Sequence, residues 1–254
     1  SSLRCFQRGR GEKTVKIGCI GDSITAGVHS SGGNHTYPAQ LQILLGSDDF
    51  SVTNLGACGS TMMKSANSPY WKRPQYETLT SSEWDILIIM LGTNDAKDLG
   101  SNGPANWPHN CSGSSAHDCP FSADYGAMIE LARTLGRDGN APDIFIAIPP
   151  PLMQLDAYGM NQTVINNVFP DLIPIIAEDN DIEYPPIDIF TALGGRLQDQ
   201  FPPNGCTLDT LRAAKCPLFC DAQSCDQCHP DDDGYHVIAQ IVMKAIFATG
   251  RYGA

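Results

Sequence analysis

The run Asp85-Ile-Leu-Ile-Ile-Met-Leu91 is the most hydrophobic in the chain, and it restricts the fold more than any other stretch. Its length and β-branching are those of a strand buried on both faces, as in the middle of a parallel sheet. Four more segments read as strands: 15–20, 50–55, 143–148 and a short last one over 182–189. Helical patterns fall between and after them. One spans 36–46, with Pro38 in its first turn and Gly46 as a stop. Others span 122–135, 161–178 (interrupted at Pro170 and Pro174) and 236–247, with a loop and short helix within 67–84. Alternating strands and helices imply an α/β sandwich, a parallel sheet with helices on both faces. No internal repeat or linker marks a second domain. Residues 1–14 read as a basic arm carrying Arg4, Arg8, Arg10 and Lys13, and 15–254 as one domain. Stretches 96–121 and 196–228 resist a regular assignment, and loops that long are usually functional or decorative.

The chain carries 16 basic against 28 acidic residues, a net charge of −12. That argues against nucleic acid as a partner, because such binding rests on Lys and Arg neutralising phosphates. No window approaches the ~18 consecutive apolar residues of a membrane span. The chain opens Ser1-Ser-Leu-Arg-Cys5 without a visible signal peptide, which reads as a mature, processed form. Ten cysteines (5, 19, 58, 111, 119, 206, 216, 220, 225 and 228) form an even set. Together with the glycosylation sequons at Asn34, Asn110 and Asn161, they indicate an oxidising, secretory or extracellular compartment. Cys111 and Cys119 bracket a Ser/Gly-rich loop and make the best local pair. Cys216, Cys220, Cys225 and Cys228 have spacings that also suit structural zinc, but disulfides are the preferred reading in a secreted chain.

The strand over 15–20 runs into Gly21-Asp22-Ser23, which places a serine where parallel α/β sheets carry their chemistry. Asp and Ser are also ordinary turn and cap residues, so partners for Ser23 decide its meaning. A nucleophilic serine needs a histidine base and a group to orient that base. Of the six histidines, His29 and His35 lie in a loop without a suitably spaced carboxylate. His109 and His117 fall in the long irregular loop, and His236 opens the last helix. His229 differs, since Asp226 stands three residues before it in a turn, where a carboxylate can reach Nδ1 and leave Nε2 outward. The strand-exit loops also offer oxyanion donors, namely the Gly56 N–H, the Asn94 amide and the Ser23 N–H.

Gly21-Asp-Ser-Ile-Thr25, Gly56 after Asn54-Leu, Gly92-Thr-Asn-Asp95 and Asp226-x-x-His229-Pro230 resemble, in order, the four blocks of the SGNH (GDSL) hydrolase family. The resemblance covers residues 15 to about 247. It implies a flavodoxin-like three-layer fold and ester hydrolysis without metal or other cofactor. The roles it implies are Ser23 as nucleophile, His229 as base, Asp226 as orienter, and Ser23, Gly56 and Asn94 as oxyanion hole. Tyr37-Pro38, Pro69-Tyr-Trp71 and the Lys97 after Gly-Thr-Asn-Asp resemble the lysophospholipase-L1-like and sialate O-acetylesterase-like branch. The cysteine-rich segment 205–228 departs from the short link found in many relatives, and a disulfide at Cys225 or Cys228 would constrain the catalytic loop directly.

Tyr70, Trp71 and Trp107 are candidates to stack on sugar rings, and Lys97 to meet a substrate carboxylate. They point to short acyl groups such as O-acetyl on carbohydrate. A lysophospholipase or acyl-thioesterase for longer chains is the alternative, as is a catalytically silent glycan-binding protein on the same scaffold.

Overall fold

A computed structural model describes residues 14–98, 106–108, 111–196, 205–208, 216, 218–221 and 223–252. Residues 1–13 of the basic arm, with Cys5, the sequon asparagine Asn110, His109 and parts of the cysteine-rich insertion lie outside these residues.

Five parallel strands form one sheet: β1 (Val15–Gly21), β2 (Phe50–Gly56), β3 (Ile86–Met90), β4 (Asp143–Ile148) and β5 (Ile187–Asp188), in the order β2-β1-β3-β4-β5. Every residue of β3 and β4 is buried, which is why both read as unbroken apolar runs rather than alternating ones. The last strand is two residues long, shorter than the eight its sequence suggests. Pro185 and Pro186 precede it, and neither can donate to a ladder.

The helices are α1 (Ser23–Ala26), α2 (Tyr37–Leu45), α3 (Pro74–Thr80), α4 (Pro120–Arg133), α5 (Phe169–Asp179), α6 (Ile189–Ala192) and α7 (Asp232–Ala248). Right-handed crossovers place α2 on one face and α3, α4 and α5 on the other, because the chain moves in opposite directions from β1 to β2 and from β2 onward. The helix pattern over 161–178 resolves into a π-helical turn over Val164–Val168 followed by α5. A proline at 170 cannot bond back into a regular helix, and the wider turn accommodates it. The last helix starts four residues before His236, because the Asp231 carboxylate caps it by accepting the Gly234 N–H at 2.8 Å.

This strand order has a topological switch between β1 and β3, where successive connections leave toward opposite sides. Crevices of α/β folds open there, beyond the carboxyl ends of the strands. In this chain Gly21 pairs in register with both Gly56 and Met90, so β1, β2 and β3 end level with one another. Their exit loops meet at one edge.

Candidate active site

Ser23 is the first residue of α1. The Asp22 carboxylate caps this four-residue helix through Oδ1, which accepts the Ile24 N–H at 2.9 Å. The cap leaves the Ser23 N–H without a partner inside the helix. Across the crevice, Ser23 Oγ lies 2.9 Å from His229 Nε2, and His229 Nδ1 lies 3.1 Å from Asp226 Oδ2. A carboxylate only accepts, so Nδ1 carries the proton and Nε2 is left to receive one from Ser23. Asp226 Oδ1 accepts the N–H groups of Cys228 at 2.7 Å and His229 at 2.9 Å, so the Asp-x-x-His turn is closed by its own acid. Burial raises the Asp226 pKa, but the His229 ring and N–H and the Tyr158 hydroxyl outweigh it and hold the carboxyl well below its ordinary range.

The cysteines support this turn. Cys220 bonds Cys225 immediately before Asp226, Cys206 bonds Cys216, and Cys111 bonds Cys119 as their spacing suggests. Three members of the group considered for zinc are thus in disulfides. Cys228 remains a thiol, and burial pushes its pKa up. Cys19 and Cys58 are also free, so the even set does not pair throughout. Gln227 clamps the Cys206 backbone with both ends of its amide, at 2.7 Å each, which ties the insertion to the catalytic loop.

Asn94 is buried beside Asp22, and its amide donates to Asp22 Oδ2 at 3.3 Å. That contact orients the NH₂ and leaves its second hydrogen available. Asp22 therefore serves the turn and the Asn94 amide, while Asp226 faces the histidine. Burial pushes the Asp22 carboxyl up to about 6, against the Ile24 N–H, the His229 charge and the Asn94 amide. Next along, both oxygens of Asp95 accept N–H groups, from Met62 and Met63 at 2.8 Å each. This joins the β3 exit loop to the β2 exit loop.

Gly56 does not have the role expected of it. Its N–H already donates to Asn54 Oδ1 at 2.9 Å, and a Cβ there would lie 2.2 Å from the Ala26 nitrogen. The glycine is needed for close approach of β2 to α1, not for a free donor. Three residues on, Gly59 sits in a turn closed by Ser60 N–H to Ala57 O at 3.1 Å, with φ +76°. No described group accepts its N–H. The run Gly56-Ala-Cys-Gly59 holds both glycines, and the one at positive φ in the turn is the one whose N–H is unspent.

The aromatic platform is also revised. Tyr70 is fully buried with its hydroxyl on Leu55 O at 2.8 Å, and Trp107 is packed between Phe121 and Phe169. Both are core residues because their ring faces are covered by neighbours. Trp71 gives its indole N–H to Met62 O, and Lys64 covers its ring at 4.2 Å. Lys97 is half-buried, within electrostatic reach of Cys228 in the catalytic loop. Among the other histidines, His35 pairs with Asp232, His117 with Asp179, and His236 with Gln40. His29 donates to His229 O at 3.2 Å, which braces the loop from behind.

A serine, a histidine and a half-buried aspartate in hydrogen-bonded series, with amide donors beside the serine, are the working parts of a serine hydrolase. The chain belongs to the GDSL-like lipase/acylhydrolase family, a family of carboxylic ester hydrolases, whose model matches residues 19–237. A curated relative, the acetylxylan esterase of Xylanibacter ruminicola, is 29% identical over 182 residues, 66% of this chain. The matched stretch covers 34% of that relative, about a third of its length. Among solved structures, a carbohydrate acetylesterase family member from Sinorhizobium meliloti superposes with a TM-score of 0.60 at 18% identity, covering 92% of this chain and 98% of the other. The aryl esterase of M. smegmatis gives 0.58 at 18% identity, covering 92% and 99%. At such identities these two establish the shared SGNH hydrolase fold.

Proposed function

We propose that this chain is a serine esterase working through an acyl-enzyme, with 15–254 as its catalytic domain and 205–228 as a cysteine-rich insertion. The observation that carries the reading is the series from Ser23 Oγ to His229 Nε2 and from Nδ1 to Asp226. Ser23 attacks the ester carbonyl as His229 takes its proton. The imidazolium, steadied by Asp226, then returns that proton to the leaving alcohol. Water, activated by the same histidine, releases the acid and restores Ser23. The oxyanion forms among the Ser23 N–H, the Asn94 amide and the Gly59 N–H. Replacing Asn94 with Ala is expected to lower kcat by about 10²–10³ with little change in KM, because one donor to the developing charge is lost. Steady-state kinetics on p-nitrophenyl acetate measures this, and an unchanged kcat removes Asn94 from the hole.

The substrate we favour is a short acyl group, acetyl on carbohydrate, in line with the named activities of the acetylxylan esterase relative and the acetylesterase of like fold. Longer acyl chains, as in the lysophospholipase-L1-like branch, are the second reading. Exposed Leu155 and Tyr158 beside the catalytic loop would suit an apolar chain. A panel of acetyl, octanoyl and palmitoyl esters, with acetylated xylan alongside, separates the two, and a preference for palmitoyl overturns the first. Fluorophosphonate labelling of Ser23 distinguishes either from a silent glycan-binding protein. The three disulfides and the exposed sequon asparagine Asn34 support a secreted, glycosylated protein. Among the described residues no helix is long and apolar enough to cross a membrane.

A further inference from the structure

Tyr158 lies in a short turn after β4, far in sequence from any family motif, yet it reaches the centre of the site. Its hydroxyl donates to Asp226 Oδ2 at 2.7 Å, the same oxygen that accepts His229 Nδ1. Its ring meets the His229 imidazole edge to face, with centroids 5.5 Å apart. The backbone there is unusual. Asp156 and Tyr158 have φ of +56° and +55°, a region that bulky residues avoid unless their surroundings hold them.

Those surroundings can be named. The Met153 N–H donates to Gln227 O at 2.7 Å, which fastens one end of the segment to the catalytic loop. At the other end, the Asp98 N–H donates to Gly159 O at 2.9 Å and the Asn161 N–H to Ala96 O at 2.8 Å. The segment 153–161 is therefore stitched both to the loop holding Asp226 and His229 and to the loop that follows Asn94. Tyr158 stands between the two halves of the site, strained in backbone and committed in side chain.

On the esterase reading above, we infer that Tyr158 is a positioning residue for the triad. Its hydroxyl fixes Asp226 Oδ2 in line with His229 Nδ1, and its ring limits rotation of the imidazole. By sharing Oδ2 it also draws off part of the charge that would otherwise act on His229. Partial desolvation at the hydroxyl end and its bond to Asp226 hold the phenol above its ordinary range, so it remains a donor wherever the enzyme works. The other ionisable groups facing the relay are Asp22 at the β1–α1 turn, His29 behind the loop, Cys228 within it, Lys97 after β3 and the buried Tyr235 of α7. Among the described residues, Tyr158 and His229 are the two whose side chains bond Asp226.

The test compares Tyr158→Phe, Tyr158→Ala and Ser23→Ala on p-nitrophenyl acetate across pH 5–9, with thermal melts. Tyr158→Phe keeps the ring and loses the donor. Its kcat is expected to fall roughly fivefold, the worth of one hydrogen bond of about 1 kcal/mol, with KM within about twofold. The acidic limb of kcat/KM is expected to move to higher pH, because the full Asp226 charge then favours the imidazolium. Tyr158→Ala, which also frees the ring of His229, is expected to lose more. A Phe variant with wild-type kcat and an unmoved acidic limb overturns the inference, whatever the Ala variant does. Ser23→Ala tests the reading beneath it: an active Ser23→Ala refutes the esterase and the role of Tyr158 together, whereas a dead one beside an unaltered Tyr158→Phe refutes Tyr158 alone.

Discussion

Ser23→Ala is expected to lower kcat on p-nitrophenyl acetate by about 10⁴–10⁶ while leaving the thermal midpoint close to wild type. The change removes one oxygen atom from a buried side chain at the start of α1. The Asp22 cap, which accepts the Ile24 N–H, does not depend on that oxygen, and alanine suits a helix at least as well as serine. His229 loses its contact at Nε2 but keeps Asp226 at Nδ1. On the proposed mechanism, catalysis in contrast loses the atom that forms the acyl bond, and the donors that remain can only polarise an ester for attack by stray water. Steady-state kinetics, melting curves and fluorophosphonate labelling together read the outcome. A variant within tenfold of wild-type kcat would show that Ser23 Oγ is not the nucleophile.

Asp226→Asn should cost about 10⁴ in kcat, and the structure says why so small a change is so damaging. Oδ1 accepts two backbone N–H groups, from Cys228 and His229, which the asparagine oxygen must continue to serve. The new NH₂ then occupies the place of Oδ2, facing His229 Nδ1. A donor there requires Nδ1 to accept, which moves the ring proton to Nε2, opposite Ser23. A protonated Nε2 cannot take the Ser23 proton. Because the two backbone contacts survive, the loop and the melting temperature should change little. Retention of kcat within tenfold would assign the orienting carboxylate elsewhere, with Asp22 an acid whose charge also couples to His229.

The strands were legible because burial on both faces writes itself as a continuous apolar run, most plainly in β3 and β4. Element ends were harder. Asp231 starts α7 four residues before His236, because a capping carboxylate, not the apolar pattern, decides where helical bonding begins. Ser23, Asn94, Asp226 and His229 stood out as candidates because each sits at a strand exit or in a short turn with fixed spacing, and the structure brings Ser23, His229 and Asp226 into one hydrogen-bonded series. Gly56 could not be separated from Gly59 in that way. The difference lies in the Asn54 side chain folding back onto the Gly56 N–H, and in the turn that leaves the Gly59 N–H unspent. Tyr70 and Trp107 misled for a related reason, since a sequence shows that an aromatic is present but not which way it faces.

From the sequence alone came the alternation of strand and helix, the parallel sheet, and four chemical groups each tied to local turn chemistry. These depend on period and on neighbours a few residues away. Their meeting depends on contacts across 206 residues between Ser23 and His229, and 68 between Tyr158 and Asp226. Only the sheet's switch between β1 and β3 brings such segments to one edge. Which N–H stays free, which ring faces solvent and which hydroxyl shares Asp226 are decided there, by packing between segments that carry no mark of one another.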